Sequence, residues 1–302
     1  MKLVDQRWSK HDKLFFFSLL PSFILLALIV AFALVTFVSK SWPILSREGM
    51  SFLASPKWWP DSDPSKCFYG ILPALVGTLI TSVLAVSLSL PITISMVVVC
   101  NEILPRRVGD LMSSLALAAS GLPTVVYGLW GVEVVVPIIK DFAKLLGIET
   151  TGFSIIAASI VLSVMITPYA FVIVNELYRS IPSTYREAIY SIGARTVHAS
   201  RVLLSMVRLG IIAAVLLALG RAASETIVTT MLIGNVPSLT LNLFSPGITI
   251  ASLIATQFGE SYLYPYMESA LYASALVLFI IGFTLSSLGI YLVIKWRRWL
   301  YG

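Results

Sequence analysis

Residues 181–234 read IPSTYREAIYSIGARTVHASRVLLSMVRLGIIAAVLLALGRAASETIVTTMLIG. The first half is polar and rich in arginine, whereas the second half is an apolar run that contains one arginine and one glutamate. A polar, cationic segment is typical of a surface that contacts a soluble partner, and a long apolar segment is typical of a helix in lipid. Charged residues inside such a helix indicate a path for a polar solute. The stretch therefore indicates a subunit of a transport pore.

The composition places the whole chain in a membrane. Of its 302 residues, 58% are hydrophobic and only 12% are charged, which is about half the charged fraction of a soluble domain. Five uncharged runs are each as long as the ~20-residue helix that crosses a bilayer; they are residues 14–38, 70–100, 111–132, 150–175 and 269–294. With residues 210–233 they predict an all-α integral membrane protein with six transmembrane helices, multi-pass in the cell membrane.

The positive charges predict the orientation of these helices. If the N-terminus is cytoplasmic, fourteen of the 21 Lys and Arg residues lie on inner segments and six on outer ones, with Arg221 inside the membrane. An excess of Lys and Arg marks the cytoplasmic side, so both termini are expected there. The net charge of +6 then reflects topology rather than a nucleic-acid partner. The first apolar run is too long for a signal peptide, so we expect it to be retained.

The predicted helices divide the chain into four parts: a cytoplasmic lead (1–13), a first helix with an outer loop (14–69), a core of five helices (70–294) and a cytoplasmic tail (295–302). A cytoplasmic loop over residues 177–208 or so interrupts the core. We also expect a short helix at the outer surface over residues 249–258 and an interfacial anchor at Trp296. Cys67 and Cys100 fall at opposite membrane faces, so no disulfide is expected.

The cytoplasmic loop contains a helix start signal. Thr184 and Glu187 have the T-x-x-E spacing of a capping box, in which the two side chains satisfy free backbone N–H groups. We therefore expect a short helix from Tyr185 to about residue 192, ending at Gly193. Such a helix could be a solvated loop element or could dock a partner, and composition alone favours the solvated loop by roughly two to one.

The apolar half carries two charged residues in its middle. Arg221 lies 11 residues into the 24-residue segment 210–233, so it is close to mid-membrane. Glu225 follows by four residues and is expected on the same helix face. Burying a charge at this depth costs roughly 2.5–3.5 kcal/mol. The pair is either an ion pair that fixes helix packing or an anion site, for which Ser224 and other small neighbours leave space.

The chemistry of the pair favours one class of anion. The planar guanidinium of arginine can hold two oxygens of a tetrahedral oxyanion. A carboxylate nearby suits an anion that still carries a proton to donate, as hydrogen phosphate does near neutral pH and sulfate does not. The same carboxylate repels fully deprotonated oxyanions. Arg221, Glu225 and Ser224 are therefore the candidate residues of a substrate pathway or gate.

Part of the loop resembles a known family. Glu187-Ala188, Gly193 and the hydrophobic Leu203-Leu204 are similar to the EAA loop of ABC-importer permeases. The resemblance implies that the loop docks on an ATP-hydrolysing subunit, with coupling residues Arg186, Glu187, Ala188, Gly193 and Arg195. Ile189 stands where relatives carry a second alanine, and Ser205 and Leu209 stand where relatives usually carry prolines.

The chain itself has no phosphate-binding loop of the G-x-x-x-x-G-K-[ST] type, since no glycine is followed by lysine. We therefore expect a transporter permease and not an enzyme, with no catalytic residues, no metal site and no cofactor of its own. ATP and Mg²⁺ would be bound by the partner subunit.

Four further runs of sequence resemble one particular group within this family. GLPTVVYGLWG (121–131), LGRAASET (219–226), IGN (233–235) and SPGITIASLIATQF (245–258) are similar to phosphate-import permeases of the PstC type. This resemblance implies a type I ABC importer permease fold and ATP-driven import of inorganic phosphate. It also implies a second homologous permease, two ATP-binding subunits and an extracytoplasmic phosphate-binding protein as partners.

Other functions remain open from the residues alone. A permease for another oxyanion, such as sulfate, molybdate or phosphonate, is the nearest alternative. A proton-coupled secondary anion transporter, with Glu225 carrying the proton, is a second, although no inverted repeat is evident. A membrane-embedded enzyme or signalling scaffold is a third, but His11 and His198 lie in polar segments without a metal-ligand or nucleophile pattern.

Overall fold

The computed structural model describes residues 10–301, with side chains from residue 15 to residue 298. Within that range the chain is mostly helical. The elements, in chain order, are α1 (Lys10–Glu48), α2 (Ser51–Ala54), β1 (Trp58–Trp59), β2 (Phe68–Tyr69), α3 (Leu72–Val98), α4 (Arg106–Ser120), α5 (Thr124–Trp130), α6 (Val136–Leu145), α7 (Ile155–Arg179), α8 (Ser183–Ser191), α9 (Thr196–Met206), α10 (Arg208–Ala223), α11 (Ile227–Leu232), α12 (Ile250–Gln257) and α13 (Met267–Tyr301). Two π-helical turns, Val99–Ile103 and Gly131–Val135, extend α3 and link α5 to α6, and a 3₁₀ segment, Phe258–Leu263, follows α12.

Four helices of the described chain are long and apolar enough to cross a membrane: α1, α3, α7 and α13. Two further spans are possible if each of two bent pairs counts as one: α4 with α5–α6, bent by 91°, and α9 with α10, bent by 68°. The six transmembrane helices predicted from the uncharged runs are therefore confirmed only as four to six candidate spans. An uncharged run sets how much chain lies in lipid, but it does not require that the helix be continuous.

The first bend falls inside the predicted helix over residues 111–132. There α4 ends at Ser120, and Pro123 takes an extended conformation with φ −57° and ψ 132° before α5 begins. Proline lacks the N–H that would continue the helix, and it disfavours a helical conformation at the residue before it. The Tyr127 hydroxyl donates to the Ala119 carbonyl at 3.1 Å across the bend, so the two helices are held at a fixed angle.

The second interruption falls inside the predicted helix over residues 210–233. Here α10 ends at Ala223 and α11 begins at Ile227. The intervening Ser224, Glu225 and Thr226 are polar, and such side chains compete with the helix for backbone groups. The Ser224 hydroxyl donates to the Gly220 carbonyl at 3.0 Å, and the Thr229 hydroxyl donates to the Glu225 carbonyl at 2.6 Å. The break is thus stabilised by side chains on both sides of it.

The central helix of the molecule is α7. In its most apolar window 67% of residues are buried, against 0% for α1 and 6% for α13. It packs against α3, α4 and α10, while α13 packs on α10 and α1 packs on α13 at the periphery. Their exposed apolar faces are suited to lipid or to another subunit.

The short helix predicted over residues 249–258 is present as α12. A capping box begins it, with the Thr249 side chain accepting from the Ser252 N–H and the Ser252 side chain accepting from the Thr249 N–H. The Ile250 N–H also donates to the Thr78 hydroxyl of α3 at 2.9 Å. Close contact here requires Gly77, because a Cβ at that position would clash with the Ile248 carbonyl. The loop before α12 is therefore fixed against α3.

Two smaller expectations need correction. The described chain is not wholly α-helical, since β1 and β2 form a short antiparallel pair in the outer loop, with Trp58 opposite Tyr69. Trp296 is not an interfacial anchor, because it is 1% exposed and its indole N–H donates to the Met206 carbonyl at 2.8 Å. It thus closes the bend between α9 and α10. Cys67 and Cys100 are both free and buried, as expected.

Candidate substrate cavity and coupling loop

A cavity of about 560 Å³ opens beside the end of α10. One wall is formed by α10 with Arg221 and Ser224, and the opposite wall is formed by the middle of α13. Tyr169 of α7 and Ile254 of α12 complete the lining. The other residues that line the cavity are apolar or small, so the Arg221 guanidinium is the cationic group among the lining residues.

The Arg221 side chain has no anionic partner. Its guanidinium carbon lies 5.2 Å from the centre of the Tyr169 ring, a cation–π contact. Among the side chains that the structure describes there are five ion pairs, and neither Arg221 nor Glu225 takes part in any of them. The Arg221 Nε is buried without a hydrogen-bond partner. Of the two possibilities left open by the sequence, the packing ion pair is therefore absent from this conformation.

Glu225 lies in the break between α10 and α11 and not on the helix face of Arg221. The expectation of a shared face assumed a continuous helix, and α10 ends two residues before Glu225. Glu225 is half-buried and does not line the cavity, whereas Ser224 is exposed and does. A residue in a break can change its direction through a few backbone dihedrals, which a residue inside a helix cannot do.

The GLPTVVYGLWG run packs against the residues that follow the break. A Cβ on Gly128 would lie 2.5 Å from the Met231 sulfur, and one on Gly131 would lie 2.7 Å from a Leu232 methyl. Glycine at both positions thus allows α5 and the π-helical turn to approach α11 closely. The runs that carry the family resemblance therefore meet around the broken helix.

The predicted short helix of the cytoplasmic loop is present as α8, but it begins differently. It starts at Ser183 after Pro182, and no side-chain cap hydrogen bond forms within this described segment. Thr184 is therefore already inside the helix, and the predicted capping box with Glu187 is wrong. The predicted end is confirmed, since Gly193 follows the helix with a φ of +76° that favours glycine.

The predicted coupling residues lie on an exposed surface. None of the nine residues of α8, all of which the structure describes, is buried. Glu187 and Ala188 are exposed, as are Gly193 and Arg195 beyond the helix. Arg186 differs, because its side chain is 30% exposed and turns toward the rest of the chain. Along the chain, α9 and most of α10, which is about 24 Å long, lie between this surface and Arg221.

Arg186 is held by Glu102, a residue that the sequence did not single out. Glu102 lies in the π-helical turn after α3, and its side chain is 3% exposed. Its Oε1 accepts from the Tyr178 hydroxyl at 2.8 Å and pairs with the Arg186 Nη1 at 3.1 Å. Its Oε2 accepts from the Tyr190 hydroxyl at 2.7 Å. One carboxylate thus connects α8, α7 and the end of α3.

The environment of Tyr190 is consistent with this arrangement. Burial raises the pKa of the Tyr190 hydroxyl, and its hydrogen bond to Glu102 and the negative charge of that carboxylate raise the pKa further. The hydroxyl therefore stays protonated and remains a hydrogen-bond donor to Glu102 at neutral pH. Arg186 and Tyr190 are the two residues of α8 that contact the Glu102 carboxylate, which Tyr178 of α7 also contacts.

A second polar cluster lies beside Glu102. The Arg179 guanidinium pairs with Asp110 of α4 at 2.9 Å and donates to Asn101 at 2.9 Å and to Ser113 at 3.2 Å. Asn101 in turn donates to Asn175 at 2.7 Å. The C-terminal ends of α3 and α7 and the N-terminal end of α4 are therefore connected by side-chain hydrogen bonds.

Comparison with known proteins identifies the family. Residues 99–298 match the family described as "Binding-protein-dependent transport system inner membrane component". The matched region contains both the cavity and the coupling loop. The chain belongs to this family. It is accordingly a multi-pass membrane protein and a transporter permease, as the sequence predicted.

Individual relatives cover nearly the whole chain. A "Probable phosphate transport system permease protein PstC" from Methanocaldococcus jannaschii is 36% identical over 288 residues, covering 91% of this chain and 90% of the relative. The "Phosphate transport system permease protein PstC" of Mesorhizobium japonicum is 30% identical, covering 96% and 92%. A "Probable ABC transporter permease protein YqgH" from Bacillus subtilis is 31% identical, covering 81% and 77%.

A solved structure shows the same fold. A chain from inward facing conformations of the MetNI methionine ABC transporter superposes with a TM-score of 0.51 at 18% identity, covering 74% of this chain and 94% of that one. The predicted type I ABC permease fold is thereby confirmed. At this identity the similarity concerns the fold and not the solute.

Proposed function

We propose that this chain is one of the two permease subunits of an ATP-driven importer of inorganic phosphate. Two relatives that cover most of the chain are named phosphate transport system permeases. In this proposal a second, homologous permease completes the translocation path, two ATP-binding subunits supply the energy, and an extracytoplasmic phosphate-binding protein delivers the substrate. ATP and Mg²⁺ are bound by the ATP-binding subunits and not by this chain.

The observation that carries the proposal is the unpaired guanidinium of Arg221 at the edge of a cavity. A cation without a counter-ion at membrane depth is costly, and the cost falls when an anion arrives. Tetrahedral oxyanions fit the planar guanidinium with two parallel hydrogen bonds. The contact must also be weak enough for the anion to be released on the other side of the membrane. A single arginine meets this requirement better than a closed cage of donors would.

Glu225 adds selectivity in this proposal. Hydrogen phosphate carries a P–OH group, which can donate a hydrogen bond to a carboxylate, whereas sulfate has no proton to donate at neutral pH. Because Glu225 lies in the break after α10, a backbone change there would bring the carboxylate toward or away from the cavity. We propose that Arg221, Ser224 and Glu225 together form the substrate gate of this subunit.

The orientation follows from the same proposal. Six spans with both termini in the cytoplasm would place α8 on the cytoplasmic side, where the ATP-binding subunit is. Arg186, Glu187, Ala188, Gly193 and Arg195 would then form the coupling surface. Closure of the ATPase would move α8, and α9 and α10 would connect that movement to the gate.

Uptake by the reconstituted transporter tests the gate. In proteoliposomes containing the complete complex and its binding protein, Arg221→Ala should lower phosphate uptake about 10- to 100-fold, because a hydrogen bond to a charged group contributes about 1.5–3 kcal/mol. Arg221→Lys should restore part of the uptake, since lysine keeps the positive charge but cannot donate the two parallel hydrogen bonds of the planar guanidinium. Arg107→Ala, an exposed arginine outside the cavity, is the matched control.

The same assay separates the alternatives. Excess sulfate should leave the uptake of labelled phosphate unchanged, and strong competition by sulfate would instead indicate a general oxyanion permease. Phosphate movement by this chain alone, without ATP or partner subunits, would indicate a secondary transporter. Normal uptake by the Arg221→Ala variant would show that Arg221 serves helix packing and does not bind the substrate.

A further inference from the structure

A second cavity, of about 550 Å³, lies beside the coupling helix. It is lined by residues from the inner ends of α3, α4, α7 and α8, among them Asn101, Arg106, Asp110, Arg179, Ser183 and Arg186. It is distinct from the cavity at Arg221, with which it shares no lining residue.

The charges in this cavity do not balance. Three arginines face one aspartate among its lining residues. Arg179 is neutralised by Asp110 at 2.9 Å and Arg186 by Glu102 at 3.1 Å. Arg106 takes part in none of the five ion pairs found among the described side chains. Arg106 is exposed, so its charge is solvated, and among the described side chains it is the lining guanidinium group without a carboxylate partner; two further guanidinium groups line the same cavity.

Two helix starts open into the same cavity. Arg106 is the first residue of α4, which has 15 residues, and Ser183 is the first residue of α8, which has nine. Each follows a proline N-cap, Pro105 or Pro182, and neither start has a side-chain cap hydrogen bond within the described chain. The first N–H groups of a helix lack intrahelical partners and carry partial positive charge. Such starts favour phosphate and other anions.

We propose that this cavity is a binding site for a phosphate group. Arg106 would supply the free charge, the starts of α4 and α8 would supply N–H donors, and Arg179 and Arg186 would flank the oxygens. This chemistry is shared by two sources, the headgroup of an anionic phospholipid and free inorganic phosphate. Basic pockets at the cytoplasmic ends of transmembrane helices are suited to lipid headgroups. The site does not depend on which solute the permease carries.

The site has a mechanical consequence for α8. A phosphate group held by Arg106 and by the start of α8 would bridge the membrane body and the coupling helix, in addition to the Glu102 contact. Occupancy would therefore hold α8 more firmly against α4. Phospholipid composition or cytoplasmic phosphate would then change the ATPase activity of the complex without any change at the gate.

The test uses the membrane complex of both permeases and both ATP-binding subunits, purified without the soluble binding protein. It is placed in nanodiscs of phosphatidylcholine alone or with phosphatidylglycerol. A separate arm adds inorganic phosphate to neutral nanodiscs, in an Arg221→Ala background so that the response cannot arise at the gate. The variant is Arg106→Gln, and the control is Arg107→Gln, an exposed neighbour that does not line the cavity. The readouts are the thermal midpoint of the complex and phosphatidylglycerol retained in native mass spectrometry.

With phosphatidylglycerol or with inorganic phosphate, the midpoint should rise in the parent complex and in Arg107→Gln. In Arg106→Gln, binding should be about tenfold weaker. A response confined to one arm identifies the source of the phosphate group. Equal responses of the two variants, or no response in either arm, would overturn the proposal. Loss of the ATP-binding subunits from Arg106→Gln would also overturn it, because the cavity would then be a protein docking surface.

Discussion

At the scale of single residues, Glu102 is the side chain on which the position of α8 depends. It accepts hydrogen bonds from Tyr178 and Tyr190 and pairs with Arg186, and it is almost completely buried. A buried carboxylate is stable only when its oxygens accept hydrogen bonds, so Glu102 needs its three donors. The donors in turn lose their acceptor if Glu102 is replaced. Two of the three donors are on α8.

Replacing Glu102 should therefore loosen α8 without unfolding the membrane domain. Glu102→Ala leaves two tyrosine hydroxyls and Arg186 without their acceptor, which we expect to cost about 1–3 kcal/mol. The amount of phosphate moved per ATP hydrolysed should fall, while membrane insertion stays normal. Glu102→Gln should be milder, because the amide oxygen still accepts a tyrosine hydrogen bond.

The measurements are coupled ATPase and uptake assays with a thermal midpoint for each variant. Glu149→Gln, an exposed acid outside these contacts, serves as the control. An unchanged ratio of transport to ATP hydrolysis in Glu102→Ala would show that α8 is positioned by other contacts.

Sequence reasoning missed Glu102 for a physical reason. It is a single acid just beyond an apolar run, which ordinarily indicates a helix end at the membrane surface. Its tyrosine partners are 76 and 88 residues away in the chain. Arg221, by contrast, could be found because a charge inside an apolar run is conspicuous without knowledge of its neighbours.

At the scale of elements, hydropathy predicted the amount of helix in lipid but not its breaks. The run over residues 111–132 contains Pro123, and the run over residues 210–233 contains three consecutive polar residues. Hydropathy nevertheless predicts a single helix for each run. Local signals were reliable where one residue type dictates the backbone, as at Gly193. They failed at Thr184, because Pro182 already occupies the N-cap position.

Gly193 offers a test of how α8 is joined to α9. Its φ of +76° is strained for other residues, and a Cβ there would meet nothing within 4 Å. Gly193→Ala should therefore act through the backbone alone and cost about 1–2 kcal/mol. Because α8 would be displaced relative to α9, the stimulation of ATP hydrolysis by substrate should fall.

Gly147 provides a matched control in the same chain. It has a φ of +70° and equally open surroundings, but it follows α6, away from the coupling loop. Gly147→Ala should show a similar loss of thermal stability with normal coupling. If both variants couple normally, the turn at Gly193 has no role beyond ending the helix.

At the scale of the whole molecule, the distribution of Lys and Arg is the basis for the predicted orientation, and the uncharged runs are the basis for the four-part division of the chain. Both the orientation and the division are predictions from the sequence. The fold itself was predicted through family resemblance, since composition could establish helices in lipid but not how they pack. The cavity at Arg221 could not have been predicted in shape, because α13 and α12 come from later in the chain.

Thiol labelling tests the orientation directly. The two native cysteines are buried, so the unmodified chain should react little with a membrane-impermeant maleimide and serves as its own baseline. Ser62→Cys, exposed in the outer loop, should be labelled from outside intact cells. Thr184→Cys, exposed on α8, should be labelled only after the membrane is opened. Labelling in the reverse order would invert the topology and move the coupling surface to the outside.

The absence of any buried residue on α8, all nine of whose positions the structure describes, has a consequence for how such transporters diversify. Its outward residues, Glu187 and Ala188 among them, are free of packing constraints, so they can be exchanged with little effect on folding. Only Arg186 and Tyr190 must be kept to retain the Glu102 contact. Ile189 must also be kept, because it packs against the core. Under the proposed function, grafting the outward positions from another permease should therefore redirect this chain to a foreign ATPase while its solute remains the same.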